Sequence, residues 1–157
     1  NMEGVIKLLH DNALTLQHYY IAANKNPLGQ KDALIRAEDK SKWSELHARY
    51  HPQLREHLQK HELYDIFLID INSGDIVYTV FKELDFATNL QTGPYAKTPL
   101  GELFRTVKNI PKPGEFDFSP EFPYFPSYER KAVFIGGPIF DGATKVGVLI
   151  IQLPPPE

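Results

Sequence analysis

Apolar positions recur at three- and four-residue steps through the first sixty residues, then give way to alternation. Val5, Leu8, Leu9, Leu16, Tyr19 and Tyr20 lie on one stripe, with Lys7, Asp11 and Gln17 between them. That pattern predicts an amphipathic helix over residues 3–23. Pro27 and Gly29 in the segment 24–29 end it, because proline disfavours helix before it and glycine permits a turn. A second stripe of Trp43, Leu46, Tyr50, Leu54 and Leu58 predicts a helix over 41–62, with Ser41 as its N-cap. Pro52 sits inside this pattern and is expected to kink the helix or split it in two.

Beyond Leu63 the period becomes that of strands. Residues 64–70 and 76–81 read as a hairpin around the turn chemistry of Asn72-Ser73-Gly74-Asp75. Residues 82–98 are polar and turn-rich, and read mostly as loop. Pro99 opens a short helix through Leu100, Leu103, Phe104 and Val107. Residues 115–118 form a short third strand. The stretch 119–130 is rich in proline and aromatic residues, which favours an ordered loop. A last hairpin pairs 132–140 with 145–153 across Asp141-Gly142-Ala143-Thr144, and Pro154-Pro155-Pro156 makes a stiff exit. Helices gathered ahead of five hairpin-linked strands imply an α+β fold around one antiparallel sheet. The expected organisation is a single domain over 1–157, with a helical segment at 1–62 and a sheet-containing core at 63–153.

Composition narrows the chemistry. A net charge of -3 from 17 basic and 20 acidic residues, with no basic block, argues against nucleic acid as a partner. The chain has no cysteine, so a disulfide framework, a thiolate zinc site and a cysteine nucleophile are excluded. No run of ~18 apolar residues is present to span a bilayer, and the first residues lack the character of a signal peptide. Met2 preceded by Asn1 reads as the start of an excised segment.

His47/His51 and His57/His61 are spaced to share a helix face, as a metal site requires, but the residues between them hold no carboxylate in a zincin pattern. They read as ordinary helix residues, and no metal or cofactor is expected. None of Ser41, Ser44, Ser73, Ser119 and Ser127 lies in a nucleophile-elbow pattern, and no glycine-rich stretch forms a phosphate loop. The chain is read as a binding module, not an enzyme.

Longer motifs point to a family. Tyr64-Asp65-Ile66-Phe67-Leu68-Ile69-Asp70, then the run 74–83, Asp85-Phe86-Ala87-Thr88-Asn89-Leu90 and Thr92-Gly93-Pro94-Tyr95 are similar to the sensor domains of methyl-accepting chemotaxis proteins. The closing segments 132–142 and 146–153 look like the same family's final hairpin. Upstream, residues 18–24 with Pro27-Leu28-Gly29, and 46–52, follow the same pattern. The resemblance implies a PAS-like sensor of the PDC or Cache type, with long N-terminal helices along a five-stranded antiparallel sheet. A small molecule would bind between the sheet and the loops over it. It further implies a periplasmic domain flanked by membrane spans, with signalling by a ligand-induced population shift. Receptor histidine kinases and nucleotide cyclases carry related domains, and a module binding a periplasmic protein is another reading.

Within that frame the expected ligand-binding residues are Tyr78, Tyr95, Tyr124, Tyr128, Phe134 and Gly136, with Asn89 and Thr92 as polar contacts. Lys82 is placed to receive a carboxylate and Asp85 an amine, so a short carboxylate, an amino acid or an amine are all open as ligands. Gly136 and Gly137 in a strand suggest room for a group close to the backbone. The stripe of the first helix is expected to lie mostly on the sheet and partly at a weak homodimer contact.

Overall fold

The structure is a computed structural model and describes residues 13–155. Residues 1–12, and with them the first ten of the expected N-terminal helix and the stripe positions Val5, Leu8 and Leu9, lie outside the described residues. What is described begins with α1 (Ala13–Gln17), which runs straight into a wider turn over His18–Ala22. Its closing bond is i→i+5, from Ala23 N–H to the His18 carbonyl at 2.7 Å. That turn carries Tyr20 inward, where its hydroxyl donates to Ser44 Oγ at 2.8 Å and accepts from Ala37 N–H at 3.1 Å.

Helix α2 spans Lys42–Lys60 as one element, so Pro52 does not split it. Ser41 caps it as expected, with its hydroxyl oxygen accepting from Ser44 N–H at 3.0 Å. Strands β1 (Asp65–Asp70) and β2 (Ile76–Thr79) follow, then α3 (Pro99–Lys108). The remaining strands are β3 (Asp117–Phe118), β4 (Phe122–Tyr124), β5 (Arg130–Ala132), β6 (Phe134–Asp141) and β7 (Thr144–Gln152).

Five strands form one antiparallel sheet in the order β2-β1-β7-β6-β3, so the architecture is the expected α+β. The correction falls on 119–130. It is not only loop: β4 and β5 pair as a separate two-stranded ribbon, with Phe122 opposite Ala132.

Strand register assigns the two faces. The row Phe67–Ile150–Gly136 and the row Ile69–Val148–Pro138 share one face, and α3 covers it. There Leu100, Leu103, Phe104 and Val107 pack with Phe67, Ile69, Val148 and Ile150 into one buried cluster. The alternate rows, Leu68–Leu149 and Ile66–Ile151, face α2. On that side Leu16, Tyr20, Trp43, Leu58, Ile66, Val77 and Phe86 form the second cluster. A shift of register after Leu68 lets Val77 and Tyr78 both contribute to the α2 side. Among the described residues, no helix is long and apolar enough to cross a membrane.

Candidate functional site

The last row at one end of the α3 face is Asp65–Gln152–Phe134. Two polar side chains therefore stand beside a phenyl ring on a face that is otherwise aliphatic and aromatic. All three are buried, and Asp65 is 0% exposed. Asp65 Oδ1 accepts three backbone N–H groups, from Ile66 at 2.8 Å, Val80 at 3.0 Å and Phe81 at 3.1 Å. It thereby anchors the chain as it leaves β2. Gln152 Nε2 donates to Ser127 Oγ at 2.9 Å.

The chain after β2 brings Glu83 and Asp85 into the same corner. Tyr124, on the ribbon, donates its hydroxyl to Asp85 Oδ2 at 2.8 Å, and Asp85 is 1% exposed. Glu83 Oε2 accepts from the Tyr64 hydroxyl at 3.1 Å, and Ser127 Oγ lies 3.5 Å from its Oε1. Aromatic rings wall the corner: Tyr124 meets Phe134 edge-on at 5.2 Å, Tyr95 at 5.8 Å and Phe122 at 5.6 Å. Three buried oxygens here have no hydrogen-bond partner: Asp65 Oδ2, Asp85 Oδ1 and Gln152 Oε1.

Burial governs the protonation of this corner. It pushes the Asp85 carboxyl up to about 6, against the hydroxyl bond from Tyr124. Glu83 is pushed up to about 8, by burial first and by the charge of Asp85 second. Asp65 is raised well above the usual carboxylate range by burial, with Asp85 and Glu83 adding to it. Burial and the neighbouring Asp85 likewise hold the Tyr124 phenol in its protonated form.

The two segments that close the corner carry unusual backbone. Lys82 and Ala87 lie at φ 57° and 66°, and Tyr128 and Glu129 both at 60°. Left-handed conformation at non-glycine residues costs free energy and gathers where a ligand is clamped.

The structure thus brings four expected residues together: Asp85, Tyr95, Tyr124 and Phe134. The others go elsewhere. Tyr78 and Lys82 face the α2 side. The Lys82 ammonium donates to the Thr79 carbonyl and sits 4.4 Å from the Tyr78 ring, 5.4 Å from Phe86 and 5.9 Å from Tyr20. Burial brings its pKa down to about 7. Asn89 closes a loop, donating to the Ser73 carbonyl and Asp75 Oδ1 and accepting from Gln91 and Thr92 N–H groups. Thr92 is exposed on that loop. Tyr128 is 54% exposed. At Gly136 an added Cβ would meet Val107 Cγ2 at 3.1 Å and Ile150 Cγ1 at 3.2 Å, so the space it leaves is taken by α3.

Asp65, Gln152, Glu83, Tyr64 and Ser127 were not anticipated from sequence. Parity held the signal for the first two: Asp65 shares its face with Phe67 and Ile69, and Gln152 with Ile150 and Val148.

A cavity of about 690 Å³ lies on the other side, between α2 and the sheet. Leu54, Leu68, Leu149 and Ile151 line it, with His47, His51, Gln53, His57 and Tyr78 as polar members, and His47 Nε2 is buried there without a hydrogen-bond partner. His51 Nε2–H meets the Asp32 carbonyl at 2.7 Å, leaving Nδ1 to accept from the Tyr78 hydroxyl at 2.7 Å. His47 stacks on His51 at 4.3 Å, and its Nδ1 donates to the Ile35 carbonyl at 2.7 Å. Burial and the Lys82 charge lower both imidazoles, His51 to about 4, so both rings are neutral.

No family model matches the chain, and no curated protein matches it. The solved structures it is similar to include three sensor domains. One is the sensor domain of the histidine kinase DctB from V. cholerae, with 16% identity over 94% of this chain and 56% of that one, at a TM-score of 0.43. Another is the sensory domain of the Campylobacter jejuni chemoreceptor Tlp3, with 14% identity over 96% of this chain and 58% of that one, at 0.48. The third is the ligand-binding domain of the Pseudomonas aeruginosa PAO1 amino acid chemoreceptor PctC in complex with GABA, with 11% identity over 98% of this chain and 61% of that one, at 0.43. The chain therefore spans less than two thirds of each of these.

Proposed function

We propose that this chain is the small-molecule sensing domain of an extracytoplasmic receptor of the chemoreceptor type, and that its ligand carries a protonated amine. One observation carries the ligand class. Asp65 Oδ2, Asp85 Oδ1 and Gln152 Oε1 are three buried acceptors at one end of the sheet, none with a donor. An unsatisfied buried acceptor costs about 1–3 kcal/mol, more when charged. A primary ammonium offers three N–H donors and the charge that buried carboxylates lack. The aromatic walls of Tyr124, Tyr95 and Phe134 suit such a cation. A free carboxylate finds no counterpart, because Lys82 is enclosed on the α2 side. Of the ligand classes open from sequence, amines and amino acids are therefore favoured over short carboxylates.

The sensing unit in this proposal is one domain over 1–157, periplasmic, and coupled through β7 to a membrane span and an output module. Receptors of the chemotaxis type and sensor kinases both accommodate it, as does weak homodimerisation through the N-terminal helix. A protein-binding role finds less support, since only Phe125 and Tyr128 of the aromatic loop are exposed while Phe122 packs into the core.

The test is a thermal-shift and calorimetric screen of primary amines, amino acids and short carboxylates. Amine-bearing compounds are expected to raise the melting temperature, with the rise lost in Asp85→Asn. Stabilisation by carboxylates alone, or amine binding that Asp85→Asn leaves unchanged, would overturn the reading.

A further inference from the structure

We infer that ligand capture at this corner is an exchange of ammonium for proton, so that the domain reads amine concentration and acidity together. The inference rests on the amine reading above and concerns how the same site is regulated.

The geometry sets the constraint. Asp65 and Asp85 are at 0% and 1% exposure, and Glu83 is held beside them by Tyr64 and Ser127. Each element packed around the corner contributes to the charge count. From β1 comes Asp65, and from the segment before it Tyr64. The chain after β2 supplies Lys82, Glu83 and Asp85; the ribbon supplies Tyr124, Ser127 and Arg130; β7 supplies Gln152; the loop before α3 supplies Tyr95. Of the two cations, Arg130 is exposed, and the Lys82 ammonium points into a cage of Tyr20, Tyr78 and Phe86 on the opposite side. His47 and His51 near Lys82 are neutral, and Asp32 near it is paired with Arg55 at 2.9 Å. Three carboxyl groups thus share a dry corner in which, among the described residues, no cation makes an ion pair with them; the Lys82 charge reaches Asp65 and that of Arg130 reaches Glu83 only from outside it.

Such a group cannot hold three charges without a counter-ion, so in the closed, ligand-free state part of it is protonated. The raised pKa values of Asp85 and Glu83 agree. An ammonium supplies the missing charge. It donates N–H groups to Asp65 Oδ2 and Asp85 Oδ1, and a carboxyl proton that occupied this site leaves to the buffer. Binding and proton release are then linked: one proton released per ligand means affinity that rises about tenfold for each pH unit over the range where the corner is protonated.

The experiment is titration calorimetry of n-butylamine into the domain at pH 6.5, in phosphate and in imidazole, which differ in ionisation enthalpy. The expected result is a buffer-dependent heat corresponding to release of about one proton, with Kd falling roughly tenfold from pH 5.5 to 6.5. Asp65→Asn keeps an oxygen for the three backbone donors but puts an NH2 donor where the ammonium needs an acceptor, so it should weaken amine binding and remove most of the linkage from the binding that remains. Wild-type binding with equal heats in both buffers and a pH-independent Kd would overturn the exchange while leaving the amine reading intact. No butylamine binding at any pH would remove the amine reading, and the exchange with it.

Discussion

Asp85 illustrates what a single buried carboxyl does to this molecule. One oxygen is satisfied by Tyr124 and the other is left bare, so its charged form is disfavoured and its pKa rises to about 6. A carboxyl with a folded-state pKa above its unfolded value contributes stability that is complete in acid and is lost as pH climbs through the folded value. Asp85→Asn removes the charge and keeps an acceptor for Tyr124. Relative to wild type it should therefore gain stability between pH 4 and pH 7, by on the order of 3 kcal/mol for a shift of about two units. Urea unfolding of both proteins at the two pH values measures this directly. A difference between them that does not move with pH would mean that Asp85 is not held neutral in the fold. The residue scale is also where sequence reading was least complete. Asp85, Tyr95, Tyr124 and Phe134 were legible as an aromatic-acidic group because their types suit a pocket. Asn89 and Tyr128 have equally suitable types, yet one is consumed by turn hydrogen bonds and the other sits at a left-handed position facing solvent. Residue type says nothing about which backbone donors a side chain will meet. Asp65 and Gln152 were within reach, because strand parity places them among buried apolar neighbours, where a polar side chain demands explanation.

At the scale of elements, periodicity carried most of the fold. The helix over Lys42–Lys60, the five sheet strands and α3 all stand where alternation and capping placed them. Two departures have physical causes. Pro52 falls in the middle of α2, and a missing N–H there costs helix stability without forcing a break when the flanking turns are held by packing. On either side of it, Trp43, His47, His51 and Leu58 are buried against the sheet side. The ribbon of β4 and β5 was hidden because its strands are three residues each and one contains a proline, too short for alternation to register. Gly136 is a case in which the right anomaly had another cause. The strand glycine does admit a close neighbour, but that neighbour is Val107 of α3. Gly136→Ala should destabilise the domain by about 1–3 kcal/mol through overpacking. Val107→Ala in the same chain should recover much of that loss, giving a coupling energy beyond additivity in a double-mutant cycle. Additive effects would show that α3 does not press on β6 at this point.

For the molecule as a whole, the telling feature is that the proposed site is shut. Asp65, Asp85, Gln152 and Tyr124 are all buried beneath the ribbon and the chain that follows β2. A ligand the size of an amino acid has no path to them unless one of these segments moves. The left-handed residues Lys82, Ala87, Tyr128 and Glu129 sit in those segments, which marks them as the places where such a movement would be accommodated. Closure and opening then form a two-state element, and an amine that binds with the segments closed over it shifts the population by its differential affinity. Kinetics separate this from a preformed pocket. If opening precedes entry, the observed association rate should level off at high ligand concentration, at the opening rate, instead of rising linearly toward the collision limit. The single tryptophan offers the signal, because Trp43 packs against Phe86 at 5.6 Å, next in sequence to Asp85. Rapid mixing with a saturating amine series, followed by that fluorescence, is expected to give a plateau. A linear dependence to the highest concentration would mean that the corner is open in solution, and that the left-handed residues of the two segments serve something other than admission of the ligand.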